Sequence, residues 1–68
     1  MEFDVREGAR IAGRRLMDVT FPEGSIVGAI LRDEQVITPR GRHEIEVGDR
    51  VVIFALPDAI GDIERLFS

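Results

Sequence analysis

The chain has 68 residues and no cysteine, and its nine basic and thirteen acidic residues give a net charge of −4. This length allows one domain, and the lack of cysteine excludes a disulfide framework and a thiolate zinc site, so self-association is the remaining way to stabilise so small a core. The acidic balance disfavours broad binding to nucleic acid, which needs a basic footprint.

The apolar segments are short, and the chain opens without a secretory signal pattern. The longest apolar run covers residues 51–56, which is far too short to cross a bilayer. We therefore expect a cytoplasmic protein that does not insert into the membrane itself.

The first elements along the chain are a strand and a short helix. Phe3-Asp-Val-Arg alternates apolar and polar residues and predicts a strand with Phe3 and Val5 facing inward. Ile11, Leu16 and their neighbours follow a loose helical spacing that Gly13 interrupts, so a short helix is expected over residues 13–18.

A hairpin follows at the centre of the chain. Residues 25–32 are apolar or small at both alternating sets of positions, which is typical of a strand buried on both faces. Asp33-Glu34 separates it from a second strand, Val36-Ile-Thr-Pro39, and the turn could also include Gln35. Pro39 cannot donate to a ladder, so it is expected to end that strand or to lie on its edge.

The last part of the chain predicts a tight turn, a strand and a helix. Val47-Gly-Asp is turn chemistry in which Asp49 bonds nearby backbone amides, and it leads into a strand over residues 50–56. Asp58 is placed to cap a helix whose apolar residues, from Ile60 to Leu66, recur at helical spacing. The predicted fold is therefore α+β, in the order β-α-β-β-β-α, with a mainly antiparallel sheet covered by two short helices.

No group of residues predicts catalysis. His43 is the only histidine and lies in a charged loop, and the serines stand outside any nucleophile-elbow context. The carboxylates are scattered, and the glycines are spaced too widely for a phosphate-binding loop. We expect no enzyme activity, no metal site and no cofactor.

Three arginines could bind an anion. Arg32 closes an otherwise apolar strand, and its guanidinium could grip a phosphate or carboxylate with two hydrogen bonds. The alternative is a pair between Arg32 and a local acid such as Asp49. Arg40 and Arg42 could add to an anion site, although in a flexible loop they are more often solubilising charges.

Several segments resemble one known family when they are taken in order. They are the helix start Ile11-Ala-Gly13, the strand end Ile30-Leu-Arg32, then Val36-Ile-Thr-Pro39 and Val47-Gly-Asp49. In this order and spacing the chain resembles the TrkA C-terminal (RCK_C) domain family of potassium-transport regulators. The family's usual glycine after the hairpin aspartate is Glu34 here, which leaves the turn type open.

This resemblance implies a dimeric, ligand-sensing regulatory domain, excised from a larger protein as a single domain over residues 1–68. Its partners would be a second copy and a membrane cation transporter or channel subunit. A cyclic dinucleotide or another small ligand would bind in the cleft between two lobes. The implied site comprises Ile30, Arg32, Ile37, Thr38 and Pro39, in which Arg32 takes a phosphate and the apolar residues pack on a base.

Two alternatives remain from other classes. A ligand-free scaffold that only dimerises a larger regulator fits the sequence nearly as well. Thr38-Pro-Arg40 followed by Val47-Gly-Asp-Arg-Val is also similar to AbrB-like DNA-binding domains, but the acidic balance and the flanking helices argue against that assignment.

Overall fold

The computed structural model describes residues 1–68 as a four-stranded antiparallel sheet with helical segments at its connections. The strands are β1 (Glu2–Asp4), β2 (Ser25–Arg32), β3 (Gln35–Ile37) and β4 (Arg50–Ala55), and their order across the sheet is β1-β4-β2-β3. A short helix, α1 (Ile60–Leu66), closes the chain. The α+β class and the antiparallel sheet are as predicted. None of the helices combines the length and the apolar character that crossing a bilayer requires.

The helix expected over residues 13–18 is wrong in extent, because only a single 3-10 turn forms at Leu16–Asp18. Gly13 has a φ of +82°, which lies outside the helical region. Its N–H donates to the carbonyl of Ile45 at 2.7 Å, and the N–H of Ile45 donates back to the carbonyl of Arg14 at 2.8 Å. Backbone pairing with a distant segment therefore replaces the helical hydrogen bonds.

The terminal helix forms, but the predicted cap at Asp58 is wrong. Pro57 begins a 3-10 turn that spans Pro57–Ala59, so Asp58 lies inside this turn and Ala59 stands at the N-cap of α1 without a side-chain bond. Ile63 is fully buried, and the ring of Phe67 stacks on Phe3 with 4.9 Å between centroids. The helix covers one face of the sheet as expected.

The strand β2 contains a β-bulge at Gly28 that changes which residues face the core. Val27 pairs with Ile53 on β4, whereas Ala29 pairs with Val52, so one residue of β2 is left without a partner. Because an extra residue reverses the alternation, Val27 and Ile30 both point toward the helix side of the sheet. The prediction that β2 is buried on both faces is wrong for the single chain, since nothing covers the opposite face.

The core lies between the sheet and the segments packed over it. The hairpin places Ile30 of β2 beside Ile37 of β3, and the Gly48 turn, with a φ of +95° at the glycine, returns the chain into β4. Ten apolar side chains are buried in one cluster. They are Val5, Ala9, Ile11, Val19, Ile30, Ile45, Val51, Ile53, Ala59 and Ile63.

Candidate functional site

Arg32 and Asp49 form a bidentate pair at the end of β2. Nε and Nη2 of Arg32 each donate to one carboxylate oxygen of Asp49 at 2.8 Å. Nη2 also donates to the carbonyl of Glu44 at 2.9 Å, and Nη1 lies 2.9 Å from the carboxylate of Glu46. The pairing of Arg32 with Asp49, one of the two alternatives from the sequence, is therefore confirmed.

Asp49 is the only buried charged residue, at 1% exposure. The Gly48 turn brings the N–H of Glu46 to 2.9 Å from Oδ2 of Asp49, which also accepts from Nη2 of Arg32, while Oδ1 accepts from Nε of Arg32. Burial by itself raises the pKa of Asp49, but the hydrogen bond from Arg32, that from Glu46 and the arginine's charge together lower it. The same hydrogen bond raises the pKa of Arg32, so the pair stays ionised.

The other residues predicted for the site differ in how accessible they are. Ile37 is half-buried against the core cluster, and its register partner Ile30 lies fully inside that cluster. Thr38 is exposed and Pro39 is half-buried, both directly after β3 ends at Ile37. Arg32 pairs with Gln35 beside the turn, whereas Thr38 and Pro39 follow the other end of β3, so the predicted site residues are spread along the β2–β3 hairpin and Ile30 is inside the core.

The opposite face of the sheet carries a second candidate surface. Cross-strand partners project to the same side, and the pairs Ile26 with Phe54 and Leu31 with Val36 point away from α1. We call the exposed large residues here, Ile26, Val36, Phe54 and Leu56, the apolar sheet face. Their exposure ranges from 62% to 73%. Ile26, Phe54 and Leu56 line an open depression of about 410 Å³.

Gly28 fixes the position of the aromatic ring on this face. A Cβ placed on Gly28 would lie 2.6 Å from Cε2 of Phe54, so the ring sits directly over the glycine backbone. Any side chain at position 28 would push the ring away. The bulge therefore both turns Ile26 outward and leaves room for Phe54.

The apolar sheet face differs from the prediction that Ile26 belongs to a strand buried on both faces. Uniform apolar character in β2 hides the reversal that a bulge introduces. Gly28 within an apolar strand was the available signal, since an isolated glycine in a strand often marks a bulge. Elsewhere, no three histidine or acidic side chains gather closely enough to hold a metal ion.

Comparison with known proteins decides the family. The sequence model of the TrkA-C domain matches residues 1–68. The chain belongs to the TrkA-C domain family. The match includes residues 38–40 and 47–51, on which the AbrB-like alternative was based, and assigns them to the TrkA-C family.

Curated proteins that the TrkA-C chain matches are potassium uptake proteins. It is 42% identical over 68 residues to Trk system potassium uptake protein TrkA homolog 2 of Methanosarcina mazei, covering 100% of this chain and 15% of that protein. It is 40% identical over 63 residues to the TrkA homolog of Archaeoglobus fulgidus, covering 93% of this chain and 14% of that protein. The TrkA-C chain thus spans about one-seventh of the length of these relatives.

Two solved structures share the TrkA-C fold. One, described as an RCK domain with cda, has a TM-score of 0.84 at 18% identity and covers 100% of this chain and 96% of its own. The other, the RCK_C domain dimer of S. agalactiae BusR in complex with c-di-AMP, has a TM-score of 0.81 at 23% identity, with coverages of 98% and 92%. At these identities the likeness establishes the fold.

Proposed function

We propose that this domain is a ligand-sensing, dimer-forming regulatory lobe of a potassium transport system, acting on the cytoplasmic side of a membrane transporter or channel subunit. The observation that carries the proposal is the apolar sheet face on a TrkA-C domain. This one face of the sheet carries four large apolar side chains that are each more than half exposed, and exposed apolar patches of this kind are typical of interaction surfaces. A second copy of the chain is the occupant that the dimeric BusR neighbour supports.

The regulatory mechanism would be a shift between two arrangements of the dimer. A ligand that fits the cleft of one arrangement better than the other favours that arrangement by its difference in affinity. The transporter partner then responds to the change in lobe geometry. No acid–base pair or nucleophile in the chain is required for this activity.

The ligand would bind along the β2–β3 hairpin, in a site that extends from Arg32 beside the turn to Ile37, Thr38 and Pro39 at the other end of β3. Two nitrogens of Arg32 are committed to Asp49, but Nη1 contacts only Glu46, whose side chain is 57% exposed. A phosphate oxygen could replace Glu46 at Nη1 while Asp49 stays paired. Ile37 and Pro39 would pack on a base, Thr38 would offer its hydroxyl, and Ile30 would support Ile37 from the core.

Calorimetric titration of the domain with cyclic di-AMP tests this proposal, because the BusR neighbour is described in complex with c-di-AMP. Glu46→Gln removes the carboxylate that competes for Nη1, so binding should tighten by up to about fivefold, the equivalent of an exposed ion pair. Glu7→Gln is the matched control, since Glu7 is exposed and the substitution changes the net charge equally. Equal affinities of the two variants would contradict the role of Arg32.

A ligand-free scaffold is the second candidate, and the apolar sheet face favours it equally. A dimer that gives no heat with cyclic di-AMP or with common cations would leave the scaffold as the function. Binding of any of these compounds, coupled to a change in the dimer, would support the sensor.

A further inference from the structure

The loop over residues 40–43, which we call the arginine loop, carries two arginines without an acidic partner. Arg40 and Arg42 are both exposed and form no salt bridge. Acidic residues outnumber basic ones by thirteen to nine. Four other arginines form ion pairs with carboxylates. These four are Arg15, Arg32, Arg50 and Arg65. In an acidic chain, two neighbouring arginines left free in one loop are a local excess of positive charge.

Two hydrogen bonds between its ends close the arginine loop. The N–H of Arg40 donates to Nδ1 of His43 at 3.0 Å, and the N–H of His43 donates to the carbonyl of Arg40 at 3.0 Å. The loop is therefore held as a defined turn.

Further contacts fix the arginine loop to the segment that follows Gly13. The N–H of Leu16 donates to the carbonyl of His43 at 2.9 Å, and that of Met17 donates to the carbonyl of Gly41 at 3.0 Å. Met17 packs against Gly41 so closely that an added Cβ would lie 3.3 Å from its side chain. Arg14 on this segment is also exposed, and its guanidinium contacts a carbonyl rather than a carboxylate. Solubilising charges need no such fixed backbone.

We propose that the arginine loop is a binding site for a phosphate-bearing small molecule, with Arg40 and Arg42 as the anion ligands and Arg14 adjacent. Guanidinium groups on a fixed backbone lose less entropy when they bind, and their planar forks match phosphate oxygens. The inference does not depend on Arg32 or on the identity of the ligand under the proposed function. The arginine loop carries net positive charge, whereas the charge of Arg32 is neutralised by the two carboxylates that it contacts.

The test is a titration with inorganic pyrophosphate, followed by calorimetry and by amide chemical shifts in ¹⁵N-labelled protein. The double variant Arg40→Gln with Arg42→Gln should weaken binding about tenfold. The changes that pyrophosphate causes in the amide chemical shifts of residues 40–44 should disappear in this variant. The matched control is Arg6→Gln with Arg10→Gln, because these arginines are also exposed and unpaired and their loss changes the net charge by the same amount. The control should bind like the unmodified chain.

Arg40→Lys with Arg42→Lys adds a second comparison, since it keeps the charge and removes the planar fork. Intermediate affinity supports bidentate recognition. If the two double glutamine variants weaken binding equally, only general electrostatic attraction is present and the proposed site is wrong. The proposal is also wrong if the unmodified chain shows no saturable binding of pyrophosphate. Vesicles with an anionic phospholipid form the last arm, and binding to them without binding to pyrophosphate would also overturn a small-molecule site.

Discussion

Asp49 is the residue on which the hairpin end of the sheet depends. Its two oxygens accept hydrogen bonds from Arg32 and from the N–H of Glu46, so one carboxylate joins the end of β2 to the turn before β4. The sequence predicted both a turn aspartate bonded to backbone amides and an arginine at a strand end. It could not decide whether Arg32 was free, because that depends on the distance between two loops.

Asp49→Asn should destabilise the fold by about 2–4 kcal/mol, because a neutral amide leaves the guanidinium of Arg32 without its buried partner. Chemical denaturation at neutral pH measures this loss. Asp58→Asn is the control, since Asp58 is exposed and its side chain forms no hydrogen bond or ion pair, and this variant should stay within about 0.5 kcal/mol of the unmodified chain.

Stability should also depend on pH through Asp49. Its pKa is lowered in the folded state, so its contribution is complete above the unfolded value of about 3.9 and is lost as the pH falls through the lower folded value. The unmodified chain should therefore lose stability on acidification below about pH 4. The Asp49→Asn variant should lose less over the same range, and parallel acid curves for the two proteins would contradict this assignment.

At the scale of elements, the central hairpin was predicted best and the segment before it worst. The bounds of β2 follow directly from its apolar run, and β3 ends before Pro39 because proline cannot donate to the ladder. The helix at residues 13–18 failed because its hydrogen bonds go to residues 41–45, a partner that no local pattern reveals. The turn itself is two residues long, and Asp33 adopts a φ of +55° where glycine would be unstrained.

Asp33→Gly should stabilise the hairpin by about 0.5–1 kcal/mol, because glycine adopts a positive φ without steric cost. Glu34→Gly is the matched control and should destabilise slightly, since Glu34 does not have a positive φ and glycine only adds entropy to the unfolded chain. Thermal unfolding of the two variants measures the difference. A gain in stability in the Glu34 variant, and not in the Asp33 variant, would mean that the residue with the positive φ is Glu34.

For the whole molecule, the main feature is the contrast between the two sides of one sheet. Ten apolar side chains are buried on the side toward α1, whereas the apolar sheet face is open to water. The composition of the chain suggested that so small a domain would associate with itself. The apolar pattern of β2 did not distinguish its two sides, and Gly28 was the one sequence signal of the bulge that separates them.

Phe54→Ser should convert the proposed dimer to a monomer at concentrations where the unmodified chain is dimeric, because the ring is 62% exposed on the apolar sheet face. Sedimentation measures the masses, and the melting temperature of the unmodified chain should rise with its concentration. Val47→Ser is the control, since Val47 is 55% exposed but lies outside the sheet. A variant at Phe54 that sediments like the unmodified chain would show that this face is not the interface.

The bulge at Gly28 divides β2 into two halves that can evolve separately. Residues 25–27 precede it and residues 30–32 follow it, and Ile26 from the first half is exposed whereas Ile30 from the second is buried. Selection for a new partner could therefore alter Ile26 without disturbing the pair that Arg32 makes with Asp49. Deletion of Gly28 would join Val27 directly to Ala29, which already pair with the adjacent residues Ile53 and Val52, so the ladder would become regular and Ile26 would still face outward.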